Sequence, residues 1–244
     1  MSLIKHKLAK VVLPIPVPLN GLLMLGPCLQ IVKNQRHEPE ITEFLRNSTN
    51  KQTIFCDVGA AYGFHTLMMA REMKKVSKKV WAFEPSHKDR RLLLANLKLN
   101  NLNNYVNVEK YFVSDESNAT IKFNLETHSG NIFIDGYSEN IIEVPQITLD
   151  DYGVDFNLVK IDAEGFDLNV LQGAKSLIAR GCKFTVEIGM KFSKKPLGDT
   201  LLAIRSLGLD LRELPYASRA MLDEEIIEKS IKASHINIAA IPIY

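Results

Sequence analysis

The chain has 244 residues, 46% hydrophobic and 24% charged, a balance that excludes a disordered or fibrous protein and suits one large α/β domain with an added arm. Its formal net charge of +2 is too small to imply a nucleic-acid partner. Cys28, Cys56 and Cys182 are odd in number and form no C-x-x-C pair, which argues against a disulfide framework or zinc finger and fits a reducing, cytoplasmic setting.

The first residues run basic and then apolar, but Pro14, Pro16 and Pro18 break any helix there. Neither a signal segment nor a membrane span is therefore expected, and peripheral membrane contact is the membrane role left open. Asn20-Gly21, set between "IPVPL" and "LLML", predicts a hairpin turn. In "HEPEITEFLRNS", Pro39 marks the start of a short helix. Residues 1–50 thus read as an arm with one helix, and 51–244 as the α/β domain.

Strands and helices then alternate. "TIFCDV" is a strand, Tyr62 to Lys75 a helix, "KVWAFEP" a strand, and "SHKDRRLLLANLKLNNL" a helix with Ser86 as N-cap. "YVNVEKYFVSD" is the third strand, after which residues 119–152 break into β-rich pieces and loops. "TLDD" reads there as a turn with Asp as helix cap. The alternation resumes with strand "FNLVKIDAEG", helix "FDLNVLQGAKSLIAR", strand "KFTVEIG", helix "LGDTLLAIRSLG" and strand "LDLREL". A short charged segment, Leu222 to Lys232, precedes the final strand "SHINIAAIPIY". This pattern predicts a mostly parallel, helix-covered sheet with an antiparallel edge strand at its C-terminal end.

Ligands of such sheets sit beyond the carboxyl ends of the strands. Acidic residues end all five parallel strands: Asp57, Glu84, Asp115 (after Ser114), Asp162 with Glu164, and Glu187. Like charges repel a pyrophosphate, and Gly59 and Gly63 lie in G-x-x-x-G, which is not the dinucleotide G-x-G-x-x-G. S-adenosyl-L-methionine, with its sulfonium, amino group and ribose diol, suits these carboxylates. Gly59 and Gly63 would let the backbone approach it, Glu84 would accept from both ribose hydroxyls, and Asp115 would receive the adenine amino group. Asp57 and Asp162 would serve the methionine end.

The segments "FCDVGAAYGFHTLMMA", "VWAFEPS", "LLLANLKLNNLNN", "VSD", "ITLDD" and "LVKIDAEGFDLNVLQGA" resemble the successive motifs of FkbM-type methyltransferases, over about Glu38 to Glu187. The resemblance implies a Rossmann-like class I methyltransferase fold. It also implies O-methylation of saccharide, lipid-linked glycan or natural-product hydroxyls. Carried over, it places the cofactor at Asp57, Gly59, Gly63, Glu84, Ser114 and Asp162, with a backbone contact at Ala61, where the family often has Asn.

A hydroxyl acceptor must lose a proton. Glu164 is the expected base or acceptor-orienting group, although a carboxylate there also suits the N-terminus of the helix that follows. His65 is a second candidate, against a packing role, and His87 and His128 read as surface residues. Asp162 and Glu187 end strands that should lie about 4.8 Å apart and suit magnesium. No third ligand is identifiable, so no metal site is expected. Lys160 and Glu187 read as a pair across the sheet end. A non-catalytic cofactor-fold protein and an NAD-dependent reductase are the competing functions. Neither the acceptor, sought in loops such as Thr127 to Asn140, nor the oligomeric state is legible.

Overall fold

Apolar segments of four to eight residues separated by helical ones have to be buried on both faces, and the sheet shows this. The computed structural model describes residues 17–26, 37–76, 79–124, 141–189 and 196–243. At the centre lies β3 (Phe55–Val58), paired in parallel with β4 (Val80–Phe83) on one side and β9 (Leu158–Ile161) on the other. All four residues of β3 and of β9 are buried, as expected of central parallel strands. Beyond β4 lies β5 (Val106–Glu109), and beyond β9 lies β10 (Lys183–Gly189). With β11 (Leu209–Glu213) and β12 (His235–Pro242), the full order is β11-β12-β10-β9-β3-β4-β5.

The last strand, β12 (His235–Pro242), is antiparallel as expected but lies one place in from the edge. It inserts between β10 and β11 (Leu209–Glu213) and runs antiparallel to both. Its central residues explain the position: Ile238, Ala239 and Ala240 are fully buried, so the strand needs partners on both sides. The charged segment before it is a helix, Asp223–Ala233, whose Ile226 is buried and whose Asp223, Glu224 and Glu225 occupy the first turn.

Helix α1 (Pro39–Ser48) begins at the expected proline. Helix α2 spans Phe64–Lys74, and α3 spans His87–Leu99 with the Ser86 hydroxyl accepting from the Asp89 N–H at 3.2 Å. The expected third strand breaks at Lys110-Tyr111. Its second half, β6 (Phe112–Val113), leaves the main sheet and pairs with β8 (Ile141–Ile147), which also carries β7 (Thr120–Asn124). At "TLDD" the cap is Thr148, not Asp: its hydroxyl accepts from the Asp151 N–H, opening α4 (Leu149–Tyr152). The helix expected after β9 divides at Gly173 into α5 (Asp167–Gln172) and α6 (Lys175–Ala179). A Cβ at Gly173 would stand 2.1 Å from the Ser114 carbonyl oxygen, so this point is held against the chain that leaves β6.

The Asn20-Gly21 turn closes the predicted hairpin between β1 (Val17–Leu19) and β2 (Leu22–Met24), with φ of 50° and 75°. Leu19 and Met24 are fully buried against α2 and α3, each such side chain contributing about 1.5–3 kcal/mol. The free edge of β2 would leave backbone groups unpaired. Asn96 on α3 and Asn100 at its C-cap satisfy them. Asn96 accepts from the Leu25 N–H and donates to the Leu25 and Tyr62 carbonyls, and Asn100 accepts from and donates to Leu23. The earlier arm residues, including Pro14 and Pro16, lie outside the described residues, as do Cys28, His128 and the Thr127 to Asn140 loop. No described helix is long and apolar enough to cross a membrane.

Candidate active site

Strand order reverses between β3 and β9, so the carboxyl ends of these two strands open a crevice. A cleft lies there, at the place where open α/β sheets bind small molecules. Gly59, Ala61, Glu84, Asp89, Asp162 and Glu164 give it a polar, acidic side, and Tyr111, Phe112, Val113 and Phe123 give it an apolar wall. The broken third strand builds that wall: by leaving the main sheet, Phe112 and Val113 bring the small sheet and Phe123 over the cleft.

The glycine turn is set by the chain itself. Gly59 has a φ of 73°, and a Cβ there would stand 1.9 Å from the Asp162 carbonyl oxygen. Gly63, at φ 93°, would place a Cβ 2.3 Å from Leu93 Cδ1. Close packing of β3 on β9 and of α2 on α3 therefore explains both glycines, where a close approach to cofactor was expected. Gly63 is not in the cleft lining.

Glu84 organises the turn. Its Oε2 accepts from the Ala61 N–H and its Oε1 from the Ser86 N–H, both at 2.7 Å. Burial raises its carboxyl to about 7, against the pull of these two donors. Each oxygen keeps lone-pair capacity toward the cleft. Ala61 itself has a φ of 48°, a left-handed conformation that costs an ordinary L-residue about 1–2 kcal/mol and that Asn and Gly tolerate. Ala61→Gly and Ala61→Asn are expected to raise stability by about 0.5–1 kcal/mol, read as a Tm increase of about 1–4 °C. A lower Tm in both would show that the turn is not limited by this residue.

Asp57 does not reach the cleft. It is 1% exposed, its Oδ2 accepts from the Thr66 hydroxyl at 2.6 Å, and its Oδ1 lies 3.5 Å from the Lys160 ammonium. Lys160 also donates to Asp162 Oδ2 and to the Gly59 carbonyl, each at 3.3 Å. Burial favours the neutral amine, but Asp162, Asp57 and Glu38 outweigh it and push the lysine pKa up. The expected Lys160–Glu187 pair does not form. Asp167, 5% exposed, accepts from the Ala163 and Glu187 N–H groups, and burial raises its carboxyl to about 6.

Ser114 is buried and donates to Asp115 Oδ1, which also accepts from Asn169; neither Ser114 nor Asp115 is in the cleft lining. His65, the second base candidate, is 3% exposed, is not in the cleft lining and packs against Glu38 and His37. Burial lowers its pKa well below the usual histidine value and holds the ring neutral. Glu164 does line the cleft, at a φ of 48°, and Phe166 is the N-cap residue of the following helix.

Sequence reasoning missed Glu38. The helix start was read at Pro39 and the residue before it was given no role, yet one oxygen of its carboxylate and one each from Asp162 and Glu187 lie within 4.8 Å of one another. Burial raises Glu38 to about 7 and Glu187 to about 8, the neighbouring carboxylates adding to the second shift. The third carboxylate that spacing could not identify beside Asp162 and Glu187 is thus present.

The strand order, the antiparallel β12 between β10 and β11, and the acid-sided cleft at the switch point define a Rossmann-like fold of the methyltransferase type. A family model, the methyltransferase FkbM domain, matches residues 57–214, and the chain belongs to that family. The chain is similar to the crystal structure of the FkbM methyltransferase from Methylobacillus flagellatus KT, with 17% identity, a TM-score of 0.51 and coverage of 81% of this chain and 46% of that one. It therefore spans a little under half the length of that structure. The SAM-dependent O-methyltransferase from Thermotoga maritima is similar at 15% identity and a TM-score of 0.49, covering 91% of this chain and 74% of that one. No curated protein sequence matches the chain significantly.

Proposed function

We propose that the chain transfers a methyl group from S-adenosyl-L-methionine to a hydroxyl oxygen of a saccharide, lipid-linked glycan or natural product, and that residues 51–244 form the methyltransferase domain with residues 1–50 as its arm. The observation that carries this reading is the cleft at the switch point, with carboxylates on one side and Tyr111, Phe112 and Phe123 on the other. That chemistry suits a ligand with a positive centre, a diol and a flat heterocycle, and it disfavours a pyrophosphate. When bound, S-adenosylmethionine supplies an electrophilic methyl group and a neutral thioether leaving group.

Glu84 would hold the ribose diol, Asp162 the amino end, and the aromatic wall the adenine. Glu164, at the cleft and C-terminal to Asp162, would take the proton of the acceptor hydroxyl as the new oxygen–carbon bond forms. Positioning the acceptor in line and excluding water would supply much of the remaining acceleration. His65 is not assigned as a base because it is buried and is not in the cleft lining. Glu164→Gln is expected to lower kcat by about 10²–10⁴-fold while leaving S-adenosylhomocysteine affinity within about twofold of wild type, a difference that is small on the free-energy scale. Equal loss of binding and turnover would assign Glu164 to structure instead.

The cofactor reading is tested by thermal denaturation with saturating S-adenosylmethionine, S-adenosylhomocysteine or NADH. A Tm rise with the first two and none with NADH supports it, and the reverse supports a reductase. Isotopically labelled methyl donor incubated with cell extract, followed by mass spectrometry, would identify the acceptor. Cofactor binding with no labelled product across hydroxylated acceptors would favour a non-catalytic binding protein.

A further inference from the structure

We infer that the outer face of α3, together with the β1–β2 hairpin and the end of α2, is a docking surface for an anionic phospholipid membrane. Charge is segregated along the chain. Residues 1–37, 71–79 and 87–99 hold 14 lysines and arginines against two acids, Glu72 and Asp89, whereas the whole chain holds 30 against 28. The described parts of these segments meet in space. The hairpin packs on α2 and α3, with the Asn20 carbonyl accepting from Arg71 of α2 at 3.0 Å and Leu23 bonded to Asn100 at the end of α3. Lys74, the last residue of α2, donates to the Asn101 carbonyl at 3.4 Å and lies over the Tyr105 ring.

Two observations separate this face from an ordinary solvated one. First, its charges are not matched. Lys88, Arg91 and Lys98 are exposed on the side of α3 turned away from the buried Leu93 and Leu97, and none has a side-chain hydrogen bond or ion pair among the described residues. A helix that only faces water commonly pairs opposite charges one turn apart. The helix Asp223–Ala233 of this chain does so, with Glu225–Lys229 and Glu228–Lys232. In α3 the one acid, Asp89, sits in the first turn and lines the cleft instead. Second, the face is apolar as well as basic. Leu23, Val76, Leu94 and Leu99 are four of the nine exposed large apolar side chains described, and all four lie in or beside these three elements.

A surface that is basic and apolar at once fits the headgroup region of a bilayer, where lysine and arginine meet anionic phosphates and leucines enter the acyl boundary. A nucleic acid would use the charges and leave the leucines in water. Helix α3 starts at the cleft, where Asp89 lines it, and runs about 20 Å from there. The cleft thus lies at one end of the docked face, which favours a lipid-linked acceptor among those proposed above. That choice of acceptor, unlike the surface, rests on the methyl-transfer reading.

Sedimentation of the full chain with vesicles of phosphatidylcholine, alone or mixed with about one third phosphatidylglycerol, tests the surface. Binding to the anionic vesicles alone is expected, and it should fall as salt shortens the screening length from about 10 Å at 0.1 M to about 3 Å at 1 M. Lys88→Gln/Arg91→Gln/Lys98→Gln should weaken it by about a hundredfold, at about fivefold for each basic side chain near an anionic surface. These side chains have no described partner, so the triple variant should keep the wild-type Tm. Leu23→Ser/Leu99→Ser should weaken vesicle binding by about tenfold through lost apolar burial. No binding, equal binding to both vesicle types, or binding that survives the triple substitution overturns the proposal. A single-stranded RNA that binds more tightly than the anionic vesicles and ignores the leucine substitutions would assign the face to nucleic acid and overturn it as well. S-adenosylhomocysteine titrated into the triple variant tests the cofactor reading separately, since Lys88, Arg91 and Lys98 are not in the cleft lining.

Discussion

Glu84→Gln is expected to weaken S-adenosylhomocysteine binding by at least two orders of magnitude and to destabilise the chain in the same step. Glu84 uses both oxygens on the backbone, one on Ala61 and one on Ser86. A glutamine has one acceptor oxygen, so its NH₂ must face one of these N–H groups. That leaves a buried donor unsatisfied, at a cost of about 1–3 kcal/mol. Hydrogen bonds from ribose hydroxyls to an ionised carboxylate would be lost as well, at about 1.5–3 kcal/mol each, and about 3 kcal/mol corresponds to roughly a hundredfold in affinity.

The pH dependence carries a second signature of the same residue. Glu84 has a folded pKa of about 7 against an ordinary 4.5. Its contribution to stability is therefore fully present below the unfolded value and is lost as pH rises through about 7. Cofactor hydroxyls favour the ionised form, so binding runs the other way. Affinity should be about tenfold weaker at pH 6 than at pH 8, because roughly one carboxyl in ten is ionised one unit below its pKa. The Tm gain on adding cofactor should grow over that interval. Calorimetry at the two pH values checks this, and a Glu84→Gln protein that still binds with wild-type affinity would remove Glu84 from the site. Asp115→Asn, changed outside the cleft lining, is expected to alter affinity by less than about tenfold, or 1.4 kcal/mol.

Much of the frame was legible because local chemistry decides it. Asn20-Gly21 can close only a small set of turns, Ser86 and Pro39 mark helix starts, and continuous apolar runs such as "IFCDV" make central strands. The cleft's position followed from topology, and with it Glu84, Asp162 and Glu164. What escaped depends on contacts between distant segments. Gly173 divides a helix because of Ser114, a residue no periodicity connects to it. Asn96 and Asn100 appeared as polar positions on a helix, whereas their amides complete the edge of the hairpin. β12 looked like an edge strand because no helix follows it, but its buried alanines require two neighbours. Asp57 lies near its strand end as expected and is still not in the cleft lining, because it is buried with its carboxylate against Lys160 and Thr66. Glu38 was invisible for the most basic reason: its neighbours in space are the ends of β9 and β10.

Lys160→Met is expected to destabilise the chain by about 3–5 kcal/mol, the range found when one member of a buried ion pair is removed. Over a chain of this length that corresponds to a Tm loss of about 10 °C. The lysine is 3% exposed and neutralises two carboxylates with unequal alternatives. Asp162 is 31% exposed and can hydrate when the lysine goes. Asp57 is 1% exposed and would keep only the Thr66 hydroxyl. The deficit should therefore fall mainly on Asp57, which gives the second half of the prediction. In Lys160→Met/Asp57→Asn the amide oxygen can still accept from Thr66 and no charge remains to be buried, so most of the lost stability should return. The two substitutions would then couple by more than about 1 kcal/mol. Burial already raises the Asp57 pKa, and loss of Lys160 would raise it further. A raised carboxyl stabilises at low pH and ceases to do so as pH climbs through its folded value. The single variant should thus lie nearer to wild type at pH 5 than at pH 8, and the double variant should not share that slope. Urea denaturation of all four proteins at both pH values decides it. A single variant as stable as wild type, or a double variant no better than the single, would show that Lys160 is not what allows Asp57 to be buried.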